Sequence, residues 1–389
     1  MVELVRSGRS MHTVARQFHV SSATVWRWVE RARGKRLDRM GLAGRKPGRA
    51  WNRTPAHVER QILELRGELR EASALGEYGA RAIESELKTQ RGVAPSLATI
   101  SRVLVRHDAV ERTRRLRRPP PPKGWYLPRV ASGRVELDSF DWIEDLKIAG
   151  GPLVQVLTGI ALWGSQPDAW PEEAIGTAAV LSRLSERWQQ LGLPAYAQFD
   201  NDAVFQGAHH VADTIGQVSR WCLALGIIPV FAPPYEHGFQ NGIERFNGLW
   251  QAKVWQRYRF ENHTHLLNVS ARYVTAHRMR SAKRCENAPP RRPFPQDFSF
   301  DVNAPLSGTL IFVRRTDDCG RAHLLGRDFM VTEQWQHRLV RCEVDLNARR
   351  IRFYALRRKD PANQPLLNQL PYHREHKPFR GTPWVFRER

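Results

Sequence analysis

Residues 134–164 read RVELDSFDWIEDLKIAGGPLVQVLTGIALWG, and the fold turns on how this stretch is parsed. RVELDSF alternates apolar and polar positions toward Asp138, the period-two signature of a strand with one buried face. PLVQVLTGIALWG is longer and rich in Val, Leu and Ile, enough for one or two further strands. Downstream the period changes. EEAIGTAAVLSRLSERWQQLG (172–192) has amphipathic helical spacing, AYAQFD (195–200) is a short strand ending at Asp200, and HVADTIGQVSRWCLALG (210–226) is a helix. IIPVFAPP (227–234) is another strand and NGIERFNGLWQAKVWQRY (241–258) a last helix. Strand-like segments followed by strand–helix alternation predict a mixed sheet with helices packed on it. Asp138 and Asp200 then fall at strand ends, where an α/β sheet builds its sites.

Upstream, MHTVARQFHVSSATVWRWVERAR (11–33) predicts two short helices about a tight turn. Val14, Ala15 and Phe18 form one apolar face, and Val25, Trp28 and Val29 the other, with Ser21 or Ser22 as the cap between them. That is a helix-turn-helix pattern, which leaves Ser22, Thr24, Arg27 and Arg31 free to meet DNA. His19 stands in the turn, and histidine tolerates left-handed φ better than most residues. After the basic, Gly-rich joint beginning at Arg33, a second helical unit runs from Thr54 to about Asp108. Val58, Ile62 and Leu65 make its first stripe; Pro95 and Ser96 open the reader helix Leu97–Arg106, with Thr99 and Arg102 outward. RTRRLRRPPPPKG (112–124) is a linker whose prolines enforce extended chain and whose Arg114, Arg115, Arg117 and Arg118 suit phosphate contacts.

The charge follows the same division. The chain of 389 residues carries a net charge of +22, but residues 1–129 hold 28 Lys+Arg against 12 Asp+Glu, residues 130–299 hold 16 against 17, and residues 300–389 hold 17 against 10. Basic flanks around a centre that keeps its acids predict DNA-holding modules attached to a carboxylate-bearing core. Four scattered cysteines with no CxxC pair argue against a disulfide framework and a cysteine-based zinc site. No long apolar run and no signal-like N-terminus is present, so the expected setting is cytoplasmic, nucleoid-associated, with no membrane partner.

The segment from about 134 to 258 resembles the catalytic core of the DDE transposase and retroviral-integrase family. ELDSF is similar to that family's first-aspartate strand, QFDNDAVF to its second-aspartate turn, and GIIPVFAPPYEHGFQNGIERFNG to its strand, Pro-Tyr loop and glutamate helix. With the flanking modules it is similar to bacterial insertion-sequence transposases of the IS481 and IS3 type. The resemblance implies an α/β ribonuclease-H-like core and a metal-binding, catalytic triad of Asp138, Asp200 and Glu244. Asp141 is a local rival of Asp138. The family's DNG turn is DND here, with Asp202 in place of glycine. Also implied are two Mg²⁺ or Mn²⁺ ions, which take oxygen ligands and clamp the attacking and leaving oxygens of a phosphodiester exchange. The partners would be transposon-end inverted repeats and target DNA, bound by a homo-oligomer, with Arg245 beside the triad on DNA. No nucleophilic Ser or Cys is required. A non-catalytic DNA-binding regulator derived from such an enzyme is the alternative, and a ribonuclease-H-like nuclease without transposition a third.

Glu236 competes with Glu244. Thirty-five residues separate Asp200 from Glu236, the spacing for which the retroviral type is named, and forty-three separate it from Glu244. Glu236 sits in an irregular loop, however, whereas Glu244 lies in the first turn of a helix whose Ile243, Phe246, Trp250 and Val254 form a buried stripe, and a metal ligand must be held still. The helix favours Glu244, with QGAHHVADT, including His209 and His210, as the loop that absorbs the extra residues.

The expected organisation is therefore a helix-turn-helix module at 1–45, a second such or winged-helix-like module at 54–111, the linker at 112–129 and the core at 130–299. Alternating residues with turns at TDDCG and DLNAR predict a small C-terminal β-barrel at 300–360 with its arginines on DNA. A weakly ordered Pro/Arg-rich tail would follow at 361–389.

Overall fold

The computed structural model describes residues 1–37, 54–73, 77–110, 123–174, 176–208, 211–236, 238–358, 360–374 and 378–386. Arg114, Arg115, Arg117 and Arg118, with His209 and His210, lie outside the described residues.

The N-terminal region is helical. Helices α1 (Val2–Arg6), α2 (Met11–Gln17) and α3 (Ser22–Arg31) close around Val14, Ala15 and Val25. Ser21 caps α3 by accepting from the Thr24 backbone N–H, and His19 in the turn takes φ 53°. Helices α4 (Ala56–Ala72), α5 (Ala80–Arg91) and α6 (Leu97–Arg106) share a second small core of Ile62, Leu65, Ile83, Leu87, Ile100 and Val103. Ser96 caps α6 through the Thr99 N–H. Glu59, buried under α6, pairs with Arg106 and His107.

After the one-turn helix α7 (Pro128–Ala131), strands β1 (Leu137–Lys147), β2 (Leu153–Ala161) and β3 (Pro167–Glu172) form an antiparallel meander. Strand β3 contains Pro167 and Pro171 and lies at the sheet edge, where missing N–H donors cost little. Helix α8 (Thr177–Leu191) leads into β4 (Tyr196–Phe199), parallel to β1. The short α9 (Ala203–Gln206) and α10 (Gln217–Ala224) lead into β5 (Ile228–Phe231), parallel to β4. Helix α10 is about half as long as its sequence suggests, because 211–216 form a turn.

Helix α11 (Asn241–Trp250) runs into one π-helical turn, Gln251–Trp255. Two helices that the sequence pattern does not announce follow, α12 (His263–Arg280) and the short α13 (Ala282–Glu286). Helices α8 and α10 pack on one face of the sheet around Trp188 and Trp221, while α11 and α12 cover the other around Phe246, Trp250 and Tyr273. Arg257, after the π turn, donates to the carbonyls of Ser73 (2.6 Å) and Glu71 (2.6 Å), tying the second helical unit to the core.

The C-terminal strands correct the barrel expectation. β6 (Thr309–Arg315) pairs parallel with β5 and extends the core sheet. β7 (Arg321–Leu324) and β8 (Arg327–Met330) form a separate ribbon. β9 (Leu339–Asp345), β10 (Arg350–Ala355) and β11 (Leu366–Pro371) continue the sheet. Its order among the described residues is β11-β10-β9-β6-β5-β4-β1-β2-β3, open at both ends. Alternation is the same for a barrel strand and a sheet strand, so only the partner, Val230–Phe231 of β5, distinguishes them. The tail is also more engaged than its composition suggests: β11 forms an edge, and Trp384 packs edge-on and Phe386 tilted against Trp221, at 5.1 and 5.2 Å between ring centroids.

Candidate active site

Strand β1 runs on well past Asp138, so that residue is near the strand's start and not its end. Successive side chains on a strand face opposite sides, and Asp138 and Asp141 are three apart. They therefore serve different faces of the sheet.

Asp138 points toward α8 and is fully buried. It accepts from Arg187 Nε (3.0 Å), Trp188 Nε1 (3.2 Å) and Arg291 Nη1 (3.2 Å), with further bonds from both guanidiniums to its other oxygen. Burial alone would raise its pKa, but Arg187 and Arg291 overcome that and hold the carboxyl well below the usual carboxylate range. Arg187 also binds Asp168, which in turn binds Arg278. Asp138 is thus engaged by an internal ion-pair network with Arg187 and Arg291.

Asp141 faces α11. The β1–β4 register pairs Ser139 with Gln198, so two residues on it sets Asp141 level with Asp200 at the end of β4. Burial, followed by the nearby charges of Asp200 and Glu244, pushes the Asp141 carboxyl up to about 7. Asp200 and Glu244 thus lie near enough for their charges to act on Asp141. Asp200 Oδ1 accepts from the Asp202 N–H (3.0 Å), and Asp202 caps α9 through the Val204 N–H (2.7 Å).

Glu244 is exposed on the first turn of α11, and a Cβ at Gly248 beside it would meet nothing within 4 Å. Glu236 has a different environment. Arg315 Nε donates to it at 2.7 Å and Arg358 Nη2 at 2.9 Å, which ties the 233–240 loop to the C-terminal strands.

Two residues that the sequence does not single out, Asn247 and Gln198, order the surroundings of Asp141 and of the loop before α11. Asn247, one turn after Glu244, donates to Asp141 Oδ2 (2.9 Å) and accepts from Thr158 Oγ1 (2.7 Å), while Thr158 also donates to the Asp141 carbonyl (3.0 Å). One helix thereby carries an acid and the amide that orients another. Gln198 accepts from Ser139 (2.9 Å) and donates to Tyr126 Oη (2.6 Å), which donates to the Phe239 carbonyl (2.9 Å). This chain fixes the loop ahead of α11. The only available sequence clue was the i, i+3 placement of Asn247 after Glu244 in ERFN.

Carboxylates suit a hard divalent cation, and Asp141 is strained toward its neutral form by burial first and then by the charges of Asp200 and Glu244. Among the described residues, no three such side chains are already closed into a ligand cluster. Ser22, Arg27 and Arg31 on α3, Arg102 on α6 and Arg245 on α11 are exposed, with Thr24 and Thr99 half-buried. Ser22 Oγ lies 3.2 Å from His12 Nδ1, and Arg31 sits over Trp28.

No family model matches the chain. Among solved structures, a chain of the simian T-cell lymphotropic virus intasome in complex with PP2A regulatory subunit B56 gamma is similar over 68% of this chain and 84% of that one, at 14% identity and TM-score 0.33. The HTLV-2 integrase catalytic core domain in complex with magnesium is similar in its dimeric form over 41% of this chain and 87% of that one (13% identity, TM-score 0.27). In its trimeric form the shares are 36% and 81% (12% identity, TM-score 0.26). At such scores the functional reading stands on this chain's own strand order and acid cluster.

Proposed function

We propose that the chain is a DNA transposase that binds transposon ends and catalyses metal-dependent phosphodiester cleavage and strand transfer through Asp141, Asp200 and Glu244. The observation that carries this reading is that Asp141, midway along β1, feels the charges of Asp200, just past β4, and Glu244, at the start of α11, and is pushed up to about 7 by burial and those charges. Bound between them, two Mg²⁺ or Mn²⁺ ions would stabilise the charge that develops on the attacking and leaving oxygens.

In the reaction a water oxygen displaces a 3′ oxygen from an end phosphorus, and the freed 3′ hydroxyl displaces a 3′ oxygen in target DNA. Each step forms one P–O bond and breaks another, the first leaving a 5′ phosphate monoester and the second exchanging one diester for another, with a proton leaving the attacking oxygen and one reaching the departing one. The chain's own residues hold and orient. Thr158 and Asn247 fix Asp141, and the Asp202 turn fixes Asp200. Arg245 beside Glu244 would take a phosphate. Ser22, Thr24, Arg27 and Arg31 of α3 would read one part of the end, Thr99 and Arg102 of α6 another, and a homo-oligomer would pair two ends in the bacterial nucleoid.

A strand-transfer assay with end oligonucleotides in Mg²⁺ or Mn²⁺ tests the proposal. Joined products that vanish in Asp200→Asn, with end binding retained, support it; end binding with no joining under either ion leaves the regulator reading instead.

A further inference from the structure

The arginines of β6 were expected on DNA, but Arg314 is buried, with only 7% of its surface exposed. Among the described residues it has no carboxylate partner. Its guanidinium donates instead to neutral oxygens: Asn201 Oδ1 (2.8 Å), Val313 O (2.8 Å), His323 O (3.0 Å), Ala232 O (3.3 Å) and Gln206 Oε1 (3.4 Å). The Phe312 ring lies 5.0 Å from it. Burial pulls its pKa down to about 10, a measure of how poorly the charge is compensated.

An apolar side chain of similar volume would cost less at such a position unless the direction of the hydrogen bonds matters. The acceptors show what is directed. Asn201 and Gln206 bracket the turn and α9 that follow Asp200, Ala232 directly follows β5, and His323 belongs to the β7 ribbon. Asn201 is held from its other end as well, donating to the Ala232 carbonyl at 2.6 Å. Asn201 therefore has both amide atoms fixed, and it is the residue bonded directly to Asp200. A planar fork of five donors spans these segments; an ammonium cannot.

We propose that Arg314 is a positioning residue for Asp200: through Asn201 it sets the turn so that the Asp200 carboxylate faces Asp141 and Glu244. The inference rests on the acid-cluster reading given above. It makes the C-terminal strands part of the active-site scaffold, because the residue that braces the second acid comes from β6, more than a hundred positions further along the chain.

The test uses the full chain and Mn²⁺ as the probe, with affinity measured by electron paramagnetic resonance of the free ion and thermal unfolding followed in parallel. Arg314→Met and Asn201→Ala should each weaken Mn²⁺ binding by about tenfold or more, the usual effect of removing an outer partner of a ligand. The double variant should add little to either, and Arg314→Lys should not restore binding. Phe353→Leu, a buried change in β10 away from the turn, should lower the melting temperature yet leave Mn²⁺ affinity within about twofold. Wild-type Mn²⁺ affinity in Arg314→Met overturns the inference, as does an equal loss in Phe353→Leu. If Arg314→Met fails to fold, unchanged affinity in Asn201→Ala overturns it. Asp200→Asn separates the two levels: retained Mn²⁺ binding there removes the acid-cluster reading itself, whereas loss there with none in Arg314→Met removes only the role of Arg314.

Discussion

Replacing Asp138 by Asn should damage the fold, and the size of the effect follows from its surroundings. The substitution keeps the shape but removes the charge that faces Arg187 and Arg291, and it turns an amide nitrogen toward at least one guanidinium donor. Breaking one partner of a buried ion pair costs about 3–5 kcal/mol. Arg187 keeps Asp168, and Arg291 is partly exposed, so the lower end, about 3 kcal/mol, applies. For a domain of some 200 residues this lowers the melting temperature by about 6–12 °C. The carboxyl is depressed in the folded state, so its contribution is fully present above the ordinary Asp pKa and is lost as pH falls through the lower, folded value. The gap between wild type and Asp138→Asn should therefore be constant from pH 8 to 5 and narrow only below about pH 4. Calorimetric melts across that range, with strand transfer measured well below each melting point, form the assay. An Asp138→Asn protein that melts within about 1 °C of wild type but has lost strand transfer would refute the reasoning and return Asp138 to the chemistry.

Asp141 should show the opposite pH dependence in metal-free buffer: its folded pKa is raised, so the ionised form strains the fold above about pH 7 and the strain eases as pH falls toward the unfolded value. Asp141→Asn should abolish strand transfer while being more stable than wild type at pH 8 by about 1–3 kcal/mol, after allowance for partial exposure and the disturbed Asn247 bond, with the difference shrinking as pH falls below 7 and gone only below about pH 4 in urea melts. Glu244→Gln should eliminate joining and Glu236→Gln retain most of it, since Glu236 is engaged by Arg315 and Arg358; end-joining rates decide, and the reverse order would restore the spacing argument. A fragment of residues 1–115 should bind end DNA alone, with affinity falling steeply as salt rises; equal affinity for random DNA in gel shifts would count against the helix-turn-helix reading.

Local patterns were enough to order the elements. The periods in 134–258 anticipate strands, then strand–helix alternation, and serine caps at Ser21 and Ser96 mark two helix starts from short-range chemistry alone. The positions of Asp200, just past a strand, and Glu244, in the first turn of a helix, are likewise announced by their own neighbours. The choice between Asp138 and Asp141 could not be made this way. Both belong to one strand, and which face meets Arg187 and which meets α11 depends on elements 49 and 106 residues away. The same limit hid Asn247, whose function exists only against β1 and β2, and Arg314, whose basic sequence context reads as DNA contact. It also made a barrel of strands that extend the core sheet, because a strand's alternation states that one face is buried and says nothing of what lies alongside. Short-range propensity acts through neighbours in the chain; the identity of the packing partner is set by the fold as a whole, and in this protein that identity decides that Asp138 is paired with arginines while Asp141 faces α11.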